Sequence, residues 1–484
     1  MTHLNRKMAL VLSSMAAIVA SCTLAQAQDW PQWRGPNRDA KAAGFTPPKI
    51  WPKELTQKWK LTVGEGVATP SLVGDKLYVF SRQDGNEIVR CLNAADGKEL
   101  WQDKYESLGA SGPAQGFSGP RSSPAVANGK VVTLGVRGML SCLDASTGKK
   151  LWRKDEFQAW PSFYPASSPM IIDGLSIAQL GGRENGVLAA YALDSGQEKW
   201  RWSGPSPAYA SPVLLTVAGT KLIVAQTEAK LVAVDAANGK LVWEEQGGRG
   251  NGGGGGPGGG GRGMGGGRDY KAATPIVDGQ TIIIAGRGLR AVKLEKEGDT
   301  FVAKELWSNP DKSVQFNTPA LRNGMLYGVA QNNDLFCVNA TDGKLAWSTP
   351  FPGSPAPNGN PGRAALEKAI SPVFFGAVAP GEPGPDRPPR GPGQSPAPGG
   401  PGGRRGMGGG MGGGGGYGSI VDAGPVLLAL TPSAQLIVIE PSDKEFKELA
   451  SYKVAASQTH AYPVASGNRI FIKDKDSVTL WAVE

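Results

Sequence analysis

From Thr56 onward, short runs of β-branched and apolar residues alternate with turns built from Gly, Asn and Asp. The segment from Ala68 reads ATPSLVGDKLYVF and the segment from Ala273 reads ATPIVDGQTIIIA, so each has two apolar runs joined by one tight turn. Runs of this length between such turns are typical of antiparallel hairpins. The pattern therefore predicts an all-β fold.

One unit recurs along the chain: an apolar strand, a turn that contains glycine, and a tryptophan four residues after that glycine. Its copies read CLNAADGKELW, CLDASTGKKLW, YALDSGQEKW, AVDAANGKLVW and CVNATDGKLAW. A Ser/Thr-Pro hairpin precedes the unit, which brings the repeat to four strands. Self-similarity at a period of roughly 40–50 residues indicates a repeat architecture, and four strands per unit form a propeller blade.

The repeat count predicts eight blades. Two weaker units follow the second glycine-rich tract, and the last of them stops at Glu484 before its fourth strand. The segment TQKWKLTV around Trp59 supplies such a strand with nothing before it. Because an open sheet edge promotes aggregation, we expect this strand to complete the last blade and close the ring. The propeller is expected to span residues 56–484, after an N-terminal extension at 28–55.

The tryptophans at the blade ends are expected to pack as large apolar plates between neighbouring blades. This docking set comprises Trp59, Trp101, Trp152, Trp200, Trp243, Trp307 and Trp347. An Asp or Asn precedes the turn in several copies and is predicted to hydrogen-bond local backbone rather than to act in catalysis. These residues are Asn93, Asp144, Asp235 and Asn339.

The units resemble the PQQ-like β-propeller repeat, whose docking motif is matched most fully from Ala145 to Trp152. The segment DWPQWRGPNRD at 29–39 also looks like the mature start of exported bacterial proteins of this family. The resemblance implies one of two kinds of protein. Quinoprotein dehydrogenases bind pyrroloquinoline quinone (PQQ) and Ca²⁺, whereas BamB is a non-catalytic lipoprotein of the outer-membrane assembly machinery.

Function resides in sites grafted onto a fold, and the sequence assigns no catalytic base and no metal ligand. A dehydrogenase of this family would need carboxylate and amide oxygens around Ca²⁺ and often has a vicinal disulfide, whereas no two cysteines are adjacent here. We therefore expect a non-catalytic scaffold or protein-interaction module of the cell envelope, similar in kind to BamB. The alternatives are a PQQ- and Ca²⁺-dependent dehydrogenase that oxidises an alcohol or sugar, and a carbohydrate- or peptide-binding propeller.

Counting three residues back from the repeated proline gives positions expected at one mouth of the central channel. They are Val67, Arg121, Ala166, Tyr209, Ala272, Phe316 and His460. Four of these, Arg121, Tyr209, Phe316 and His460, would form a mixed cationic and aromatic ring able to hold a planar anion or a peptide side chain. The alternative is that these side chains fill the axis by packing against one another.

Glycine and proline are concentrated in a Gly-rich insertion at 247–268 and a Gly/Pro-rich insertion at 351–416. Both are predicted to be disordered loops between blades. Each insertion contributes +3 and the first 27 residues contribute +2 to the formal charge of +9, so the folded part is nearly neutral. A neutral body gives no support for a nucleic-acid partner, and envelope proteins are the expected partners.

The N-terminal segment predicts export. Two basic residues precede the apolar stretch Met8–Ala20 and an Ala-Gln-Ala site, so residues 1–27 are interpreted as a signal peptide. That stretch is too short to span a bilayer, and we expect a periplasmic or envelope protein with no transmembrane segment. A lipid anchor at Cys22 is an alternative. The remaining cysteines share one repeated strand position, which favours burial as small apolar residues: Cys91, Cys142 and Cys337.

Overall fold

The computed structural model describes residues 29–183, 185–246, 270–352 and 416–484. Within these ranges the chain forms eight four-stranded antiparallel sheets and one short 3-10 helix, Gly112–Ala114. At several junctions the innermost strands of neighbouring sheets contact one another, in the radial arrangement of a propeller. The predicted all-β, eight-bladed propeller is confirmed.

Strand β1 (Thr56–Thr62) belongs to blade 8, and the next sixteen strands form blades 1 to 4 in chain order. Blade 1 contains β2 (Ser71–Val73), β3 (Lys76–Gln83), β4 (Asn86–Asn93) and β5 (Glu99–Glu106). Blade 2 contains β6 (Ala125–Ala127), β7 (Lys130–Leu134), β8 (Leu140–Asp144) and β9 (Lys150–Lys154). Blade 3 contains β10 (Met170–Ile172), β11 (Leu175–Leu180), β12 (Gly186–Ala192) and β13 (Glu198–Gly204). Blade 4 contains β14 (Val213–Val217), β15 (Thr220–Gln226), β16 (Lys230–Asp235) and β17 (Leu241–Gln246).

The second half of the ring repeats the same order from the innermost to the outermost strand. Blade 5 contains β18 (Ile276–Asp278), β19 (Thr281–Ala285), β20 (Leu289–Glu297) and β21 (Thr300–Asn309). Blade 6 contains β22 (Ala320–Arg322), β23 (Met325–Val329), β24 (Asp334–Asn339) and β25 (Leu345–Pro350). Blade 7 contains β26 (Ser419–Asp422), β27 (Leu427–Leu430), β28 (Gln435–Glu440) and β29 (Lys447–Lys453). Blade 8 contains β30 (Val464–Ser466), β31 (Arg469–Lys473), β32 (Ser477–Ala482) and β1.

The hydrophobic core lies between the blades. The middle strands β3 and β4 are buried over most of their length because both of their faces pack against a neighbouring sheet, whereas the outermost strand β5 is largely exposed. Side chains of blades 1 and 2 share one cluster that includes Phe80, Val89, Val131 and Leu143. Each blade is therefore stabilised mainly by its neighbours, as in other repeat proteins.

The ring is closed by the two ends of the chain. Strand β1 pairs antiparallel with β32, with Trp59 opposite Leu480 and Thr62 opposite Ser477. The indole Nε1 of Trp59 then donates a 3.2 Å hydrogen bond to the carbonyl of Ala94 in blade 1. The expected closure of the last blade by the N-terminal strand is confirmed.

The contact between Trp59 and Ala94 recurs from blade to blade. Outer-strand indoles donate to a carbonyl in the turn of the following blade, in the pairs Trp101–Ala145, Trp152–Leu193, Trp200–Ala236, Trp307–Ala340 and Trp347–Ser442. The turn glycine permits the approach: a Cβ on Gly148, which has φ +73°, would lie 2.5 Å from the Trp101 ring. Asp144 accepts backbone hydrogen bonds from Ser146 and Thr147, as expected for a turn residue.

Trp243 departs from the pattern. It packs beside Val292 and Phe301 at the junction of blades 4 and 5, but its indole donates no hydrogen bond to any residue that the structure describes. Strands β20 and β21 form a long hairpin that extends to the pair Glu297–Thr300. Blade 5 therefore lacks the short Gly-x-x-x-Trp turn, whose carbonyl accepts the indole hydrogen bond at the other blade junctions.

The three cysteines of the described chain, Cys91, Cys142 and Cys337, are free thiols with no exposed surface. Burial raises the pKa of each, to about 11 for Cys91 and about 12 for the other two. They therefore act as small apolar side chains, which confirms their predicted burial.

The N-terminal extension crosses the end of the channel opposite the predicted mouth. Between Trp30 and Thr46 it contacts every blade on its innermost strand or within two residues of that strand, in the pairs Trp30–Leu72, Pro31–Val126, Arg38–Pro169, Arg38–Pro212, Trp33–Thr274, Arg34–Pro319, Ala42–Asp422 and Thr46–Gly467. One segment of 17 residues therefore connects all eight blades and blocks this end of the axis.

Several predictions concern residues outside the described ranges. They are the signal peptide at 1–27, the lipid anchor at Cys22, and almost all of the insertions at 247–268 and 351–416. At the edges of the second insertion, Phe351 is buried in the core and Gly416 donates its N–H to Asn333 Oδ1 at 2.7 Å. In the described part of the chain, no helix is long and apolar enough to cross a membrane.

The docking tryptophans generate a stability prediction. Trp152→Ala removes an indole that is 8% exposed, together with its 2.9 Å hydrogen bond to Leu193. We expect the free energy of unfolding to fall by about 3–5 kcal/mol because the blade interface is left with a cavity. The matched control is the adjacent Leu151→Ala, which alters a side chain that is 39% exposed and should cost less than about 1 kcal/mol. Equal losses in urea unfolding of the two variants would contradict the docking role.

Candidate functional site

A series of hydroxyl side chains joins the starts of the innermost strands of blades 1 to 6. We call it the hydroxyl belt, and its described members are Thr69, Ser123, Ser168, Ser211, Thr274 and Thr318. From blade 1 to blade 5, the backbone N–H of each member donates to the hydroxyl oxygen of the next blade, at 3.0 Å from Thr69 to Ser123 and 2.9 Å from Ser123 to Ser168. The N–H of Tyr462 links blade 8 to blade 1 in the same way, by donating to Thr69 Oγ1 at 3.0 Å.

Residues that precede the belt by a few positions face one another across the channel mouth. Phe316 stacks on Tyr417 with ring centroids 4.3 Å apart, and on Tyr270 at 5.5 Å. Tyr270 lies 6.4 Å from Tyr209, and Tyr417 lies 5.2 Å from His460. The structure thus brings Tyr209, Phe316 and His460 into one series of contacts, through two tyrosines that sequence reasoning missed.

Two loop residues extend this series around the mouth. Phe117 contacts the edge of His460 at 4.8 Å, and Phe163 contacts both Tyr209, at 6.1 Å, and Tyr270, at 5.3 Å. We call the set the aromatic mouth ring, and its members are Phe117, Phe163, Tyr209, Tyr270, Phe316, Tyr417 and His460. Each member is partly exposed, so the rings pack against one another and also present apolar surface at the mouth.

Arg121 supplies the positive charge of the mouth. Its guanidinium donates to the carbonyls of Gly119, Ala114 and Phe117 at 2.9–3.2 Å, and its Cζ lies 6.0 Å from the Tyr164 ring. Burial lowers the pKa of Arg121 to about 10, against the opposing influence of Tyr164, Tyr209, Glu87 and Tyr417. The side chain is therefore cationic at neutral pH and interacts with tyrosines on several blades.

A second cation lies beside Arg121. Trp160 and Tyr164 are stacked with centroids 5.9 Å apart, and the Arg137 guanidinium lies 5.0 Å from the Trp160 ring. The hydroxyl of Tyr164 accepts the backbone N–H of Ser111 at 3.1 Å, which fixes the two inserted loops against each other. This side of the mouth thus combines aromatic surface with two guanidinium groups.

The carboxylates near the mouth are already engaged. Glu87 is fully buried, with one oxygen accepting the Tyr105 hydroxyl at 2.5 Å and the other accepting the Val136 N–H at 2.7 Å. Burial raises the pKa of Glu87, and the two hydrogen bonds oppose that rise. Glu65 accepts the hydroxyl of Ser118 and pairs with Lys475 at 3.6 Å. No group of three His, Cys, Asp or Glu side chains able to hold a metal occurs among the described residues.

His460 is electrostatically isolated in the ring. Its Nε2 is buried with no hydrogen-bond partner in the described part of the chain, and its ring is held edge-on by Phe117 and Tyr417. Burial lowers the pKa of His460 to about 4. The imidazole is therefore neutral at physiological pH and contributes a flat, weakly polar surface.

The repeat spacing could have indicated some of the ring residues that were not predicted from the sequence, but not all of them. Tyr417 lies three residues before Ile420, and Ile420 occupies the position at which the other blades have proline. An alignment of blade 7 on its strands would therefore have identified Tyr417. Tyr270 lies two residues before the counted position, Ala272. Phe117 and Phe163 lie in loops between blades that have no repeated register, and nothing in the spacing indicates them.

Comparison with known families gives the class of the protein. A family model described as outer membrane protein assembly factor BamB matches residues 84–349 and 255–375. These ranges together cover more than half of the chain, so the protein belongs to this family of PQQ-like repeat propellers.

Individual relatives include two kinds of protein. BamB of Yersinia pestis is 25% identical over 310 residues, which cover 61% of this chain and 68% of that protein. Quinohemoprotein alcohol dehydrogenase ADH-IIG of Pseudomonas putida is 30% identical over 154 residues, which cover 31% of this chain and 21% of the dehydrogenase. A quinohemoprotein alcohol dehydrogenase of Comamonas testosteroni is 29% identical over 157 residues, with 31% and 22% covered. The chain thus spans about a fifth of the length of these dehydrogenases.

Solved structures show the same two kinds of protein. BamB from Moraxella catarrhalis superposes with a TM-score of 0.53 and 14% identity, covering 88% of this chain and 97% of that one. The quinohemoprotein alcohol dehydrogenase from Comamonas testosteroni superposes with a TM-score of 0.54 and 14% identity, covering 94% and 80%. Likeness at this level of identity establishes the propeller fold and leaves the function to the residues of the site.

The environment of His460 generates a pH prediction. Its folded-state pKa of about 4 lies below the ordinary 6.5, so the unfolded chain binds more protons between these values and stability falls as the pH drops through this window. His460→Gln removes this proton linkage. The free energy of unfolding should then fall less steeply between pH 6.5 and pH 4, by up to about 1.4 kcal/mol per pH unit. Urea unfolding at a series of pH values measures both slopes, and identical slopes would contradict the burial of a neutral imidazole.

Proposed function

We propose that this protein is a non-catalytic interaction module of the cell envelope that holds a segment of another envelope protein at the aromatic mouth ring. The observation that carries the proposal is the continuous series of partly exposed rings beside Arg121. Aromatic residues and arginine are enriched in the cores of protein interfaces and among the residues that dominate binding energy. The similarity to BamB proteins, which are named as outer membrane protein assembly factors, supports an envelope setting.

The chemistry of the mouth indicates what kind of segment fits. Stacked rings such as Phe316 and Tyr417 favour flat or apolar side chains. Arg121 donates to carbonyl oxygens, so its positive charge is not neutralised by a hydrogen-bonded carboxylate. Arg137 adds a second charge nearby. The best complement is a peptide segment that combines an aromatic or aliphatic residue with an acidic one.

A PQQ-dependent dehydrogenase is the competing candidate, and its support is the similarity to quinohemoprotein alcohol dehydrogenases. The described mouth residues suit one half of such a site, because aromatic rings and Arg121 complement a planar polycarboxylate. The same residues do not suit the part of the site that would hold Ca²⁺. Ca²⁺ requires several oxygen ligands, whereas Glu87 and Glu65 are hydrogen-bonded to Tyr105, Val136 and Ser118. The described residues of the mouth therefore do not supply a set of Ca²⁺ ligands.

Site-specific photo-crosslinking in the native host tests the interaction. A benzophenone amino acid at Phe316 should crosslink to components of the outer-membrane assembly machinery, identified by mass spectrometry and verified by reciprocal purification. The matched control places the same probe at Phe446, which is also partly exposed but packs on Trp347 at an outer turn of blade 7. Arg121→Met should reduce the crosslink yield at position 316 several-fold. Equal yields from both positions, or none from position 316, would refute the mouth as the contact surface.

A thermal-shift and activity assay tests the competing candidate separately. PQQ with Ca²⁺ should neither raise the unfolding midpoint nor support reduction of an artificial electron acceptor by alcohols or sugars. A ligand that binds only the folded state raises the midpoint in proportion to its occupancy, so the assay detects binding without turnover. Alcohol-dependent dye reduction that is lost in Arg121→Met would establish an enzyme and overturn the non-catalytic proposal, whatever the crosslinking shows.

A further inference from the structure

The channel axis beneath the hydroxyl belt contains a buried cation with unused hydrogen-bond donors. Arg34, from the N-terminal extension, is 1% exposed. Its Nη2 donates to the carbonyl of Pro319 at 2.8 Å, whereas its Nε and Nη1 are buried without a partner among the described residues. Buried guanidinium groups normally satisfy their donors, because each unpaired N–H loses its hydration without compensation.

Arg38 adds a second buried charge to the same end of the axis. It is 4% exposed, and its Nε donates to Gln32 Oε1 at 3.0 Å. Its terminal nitrogens donate to three carbonyls, those of Ser168, Pro169 and Pro212. All the acceptors that the structure gives to Arg34 and Arg38 are therefore neutral oxygens. Asp39 is a carboxylate whose charge acts on Arg34 and opposes the lowering of its pKa by burial, but no carboxylate is hydrogen-bonded to either guanidinium in the described chain. A counter-ion bound directly to Arg34 would relieve the remaining positive potential.

Arg34 is bonded to a residue that adjoins the hydroxyl belt in the chain. Pro319, whose carbonyl binds Arg34, follows Thr318 of the belt, and the Arg34 Cζ lies 5.7 Å from the ring of Tyr462, whose N–H binds Thr69. The belt oxygens accept backbone N–H groups, and in the described chain their hydroxyl protons donate to no acceptor. The region around Arg34 is thus rich in donors and poor in acceptors. It is also enclosed, since the belt residues are at most 2% exposed.

The backbone that presents Arg34 is strained. Arg34, Arg38 and Ala40 adopt φ values of 59°, 58° and 62°, in the left-handed region that residues with a side chain rarely occupy. Three such residues within seven positions persist only because the surrounding blades enforce them, and such strain is concentrated at ligand clamps and functional sites.

We propose that Arg34 binds a small inorganic anion of the chloride class on the propeller axis. Nε and Nη1 of Arg34 donate to the ion, and hydroxyl groups of the belt complete its coordination. The enclosure by the belt restricts the ligand to a small ion. This site is separate from the mouth, and its role is to neutralise the buried arginines and stabilise the ring, so it does not depend on the function proposed above.

Calorimetry of the full chain tests the site. As sodium chloride replaces sodium gluconate at constant ionic strength, the unfolding midpoint of the wild-type protein should rise by about 2–4 °C, because an ion that binds only the folded state stabilises it. Arg34→Met should abolish this difference. The matched control is Arg469→Met, which removes a guanidinium that lies 5.7 Å from the Phe471 ring in blade 8 and should leave the chloride response unchanged.

Crystals grown in sodium bromide provide the direct measurement and remain informative if Arg34→Met does not fold. An anomalous peak within hydrogen-bond distance of Arg34 Nε and Nη1 is the expected result. Ordered water at this position without anomalous signal, combined with equal midpoints in chloride and gluconate, would overturn the proposal. A chloride response that Arg34→Met retains in full would also overturn it, because the responsible ion would then lie elsewhere.

Discussion

The structure depends on one repeated contact, the docking of each blade on the next. A single four-stranded blade cannot bury both of its faces, so every blade relies on its two neighbours, and the series is stable only when it returns to its start. The pairing of β1 with β32 provides that return. Trp59 then makes the same kind of indole-to-carbonyl contact with blade 1 that Trp152 makes with blade 3 and Trp200 makes with blade 4.

Two further sets of bonds act near the axis, where the blades are closest. The hydroxyl belt joins neighbouring innermost strands, and the extension between Trp30 and Thr46 crosses one end of the channel and bonds to all the blades. Because the extension crosses that end, the partly exposed rings of the described chain lie at the other end of the axis. The same crossing buries Arg34 and Arg38, whose guanidinium groups donate hydrogen bonds only to neutral carbonyl and amide oxygens of the described chain.

The mouth combines a conserved geometry of the repeat with side chains that do not repeat. Each blade delivers one position to the same circle, and the residue type at that position differs from blade to blade. Blade 2 presents Arg121, blade 6 presents Phe316 and blade 8 presents His460. Propellers of one family can therefore carry different functions, which agrees with the presence of both assembly factors and alcohol dehydrogenases among the relatives.

The sequence by itself determined the number of blades, the closing strand and the burial of the cysteines, because all three follow from local spacing that recurs in each repeat. The same register also selected Tyr209, Phe316 and His460, which the structure brings into one series of ring contacts. Only the tertiary structure decided that Phe117 joins them and that the extension crosses the axis. Loops and extensions have no period, and the positions of their side chains depend on contacts with distant blades that form only when the ring is closed.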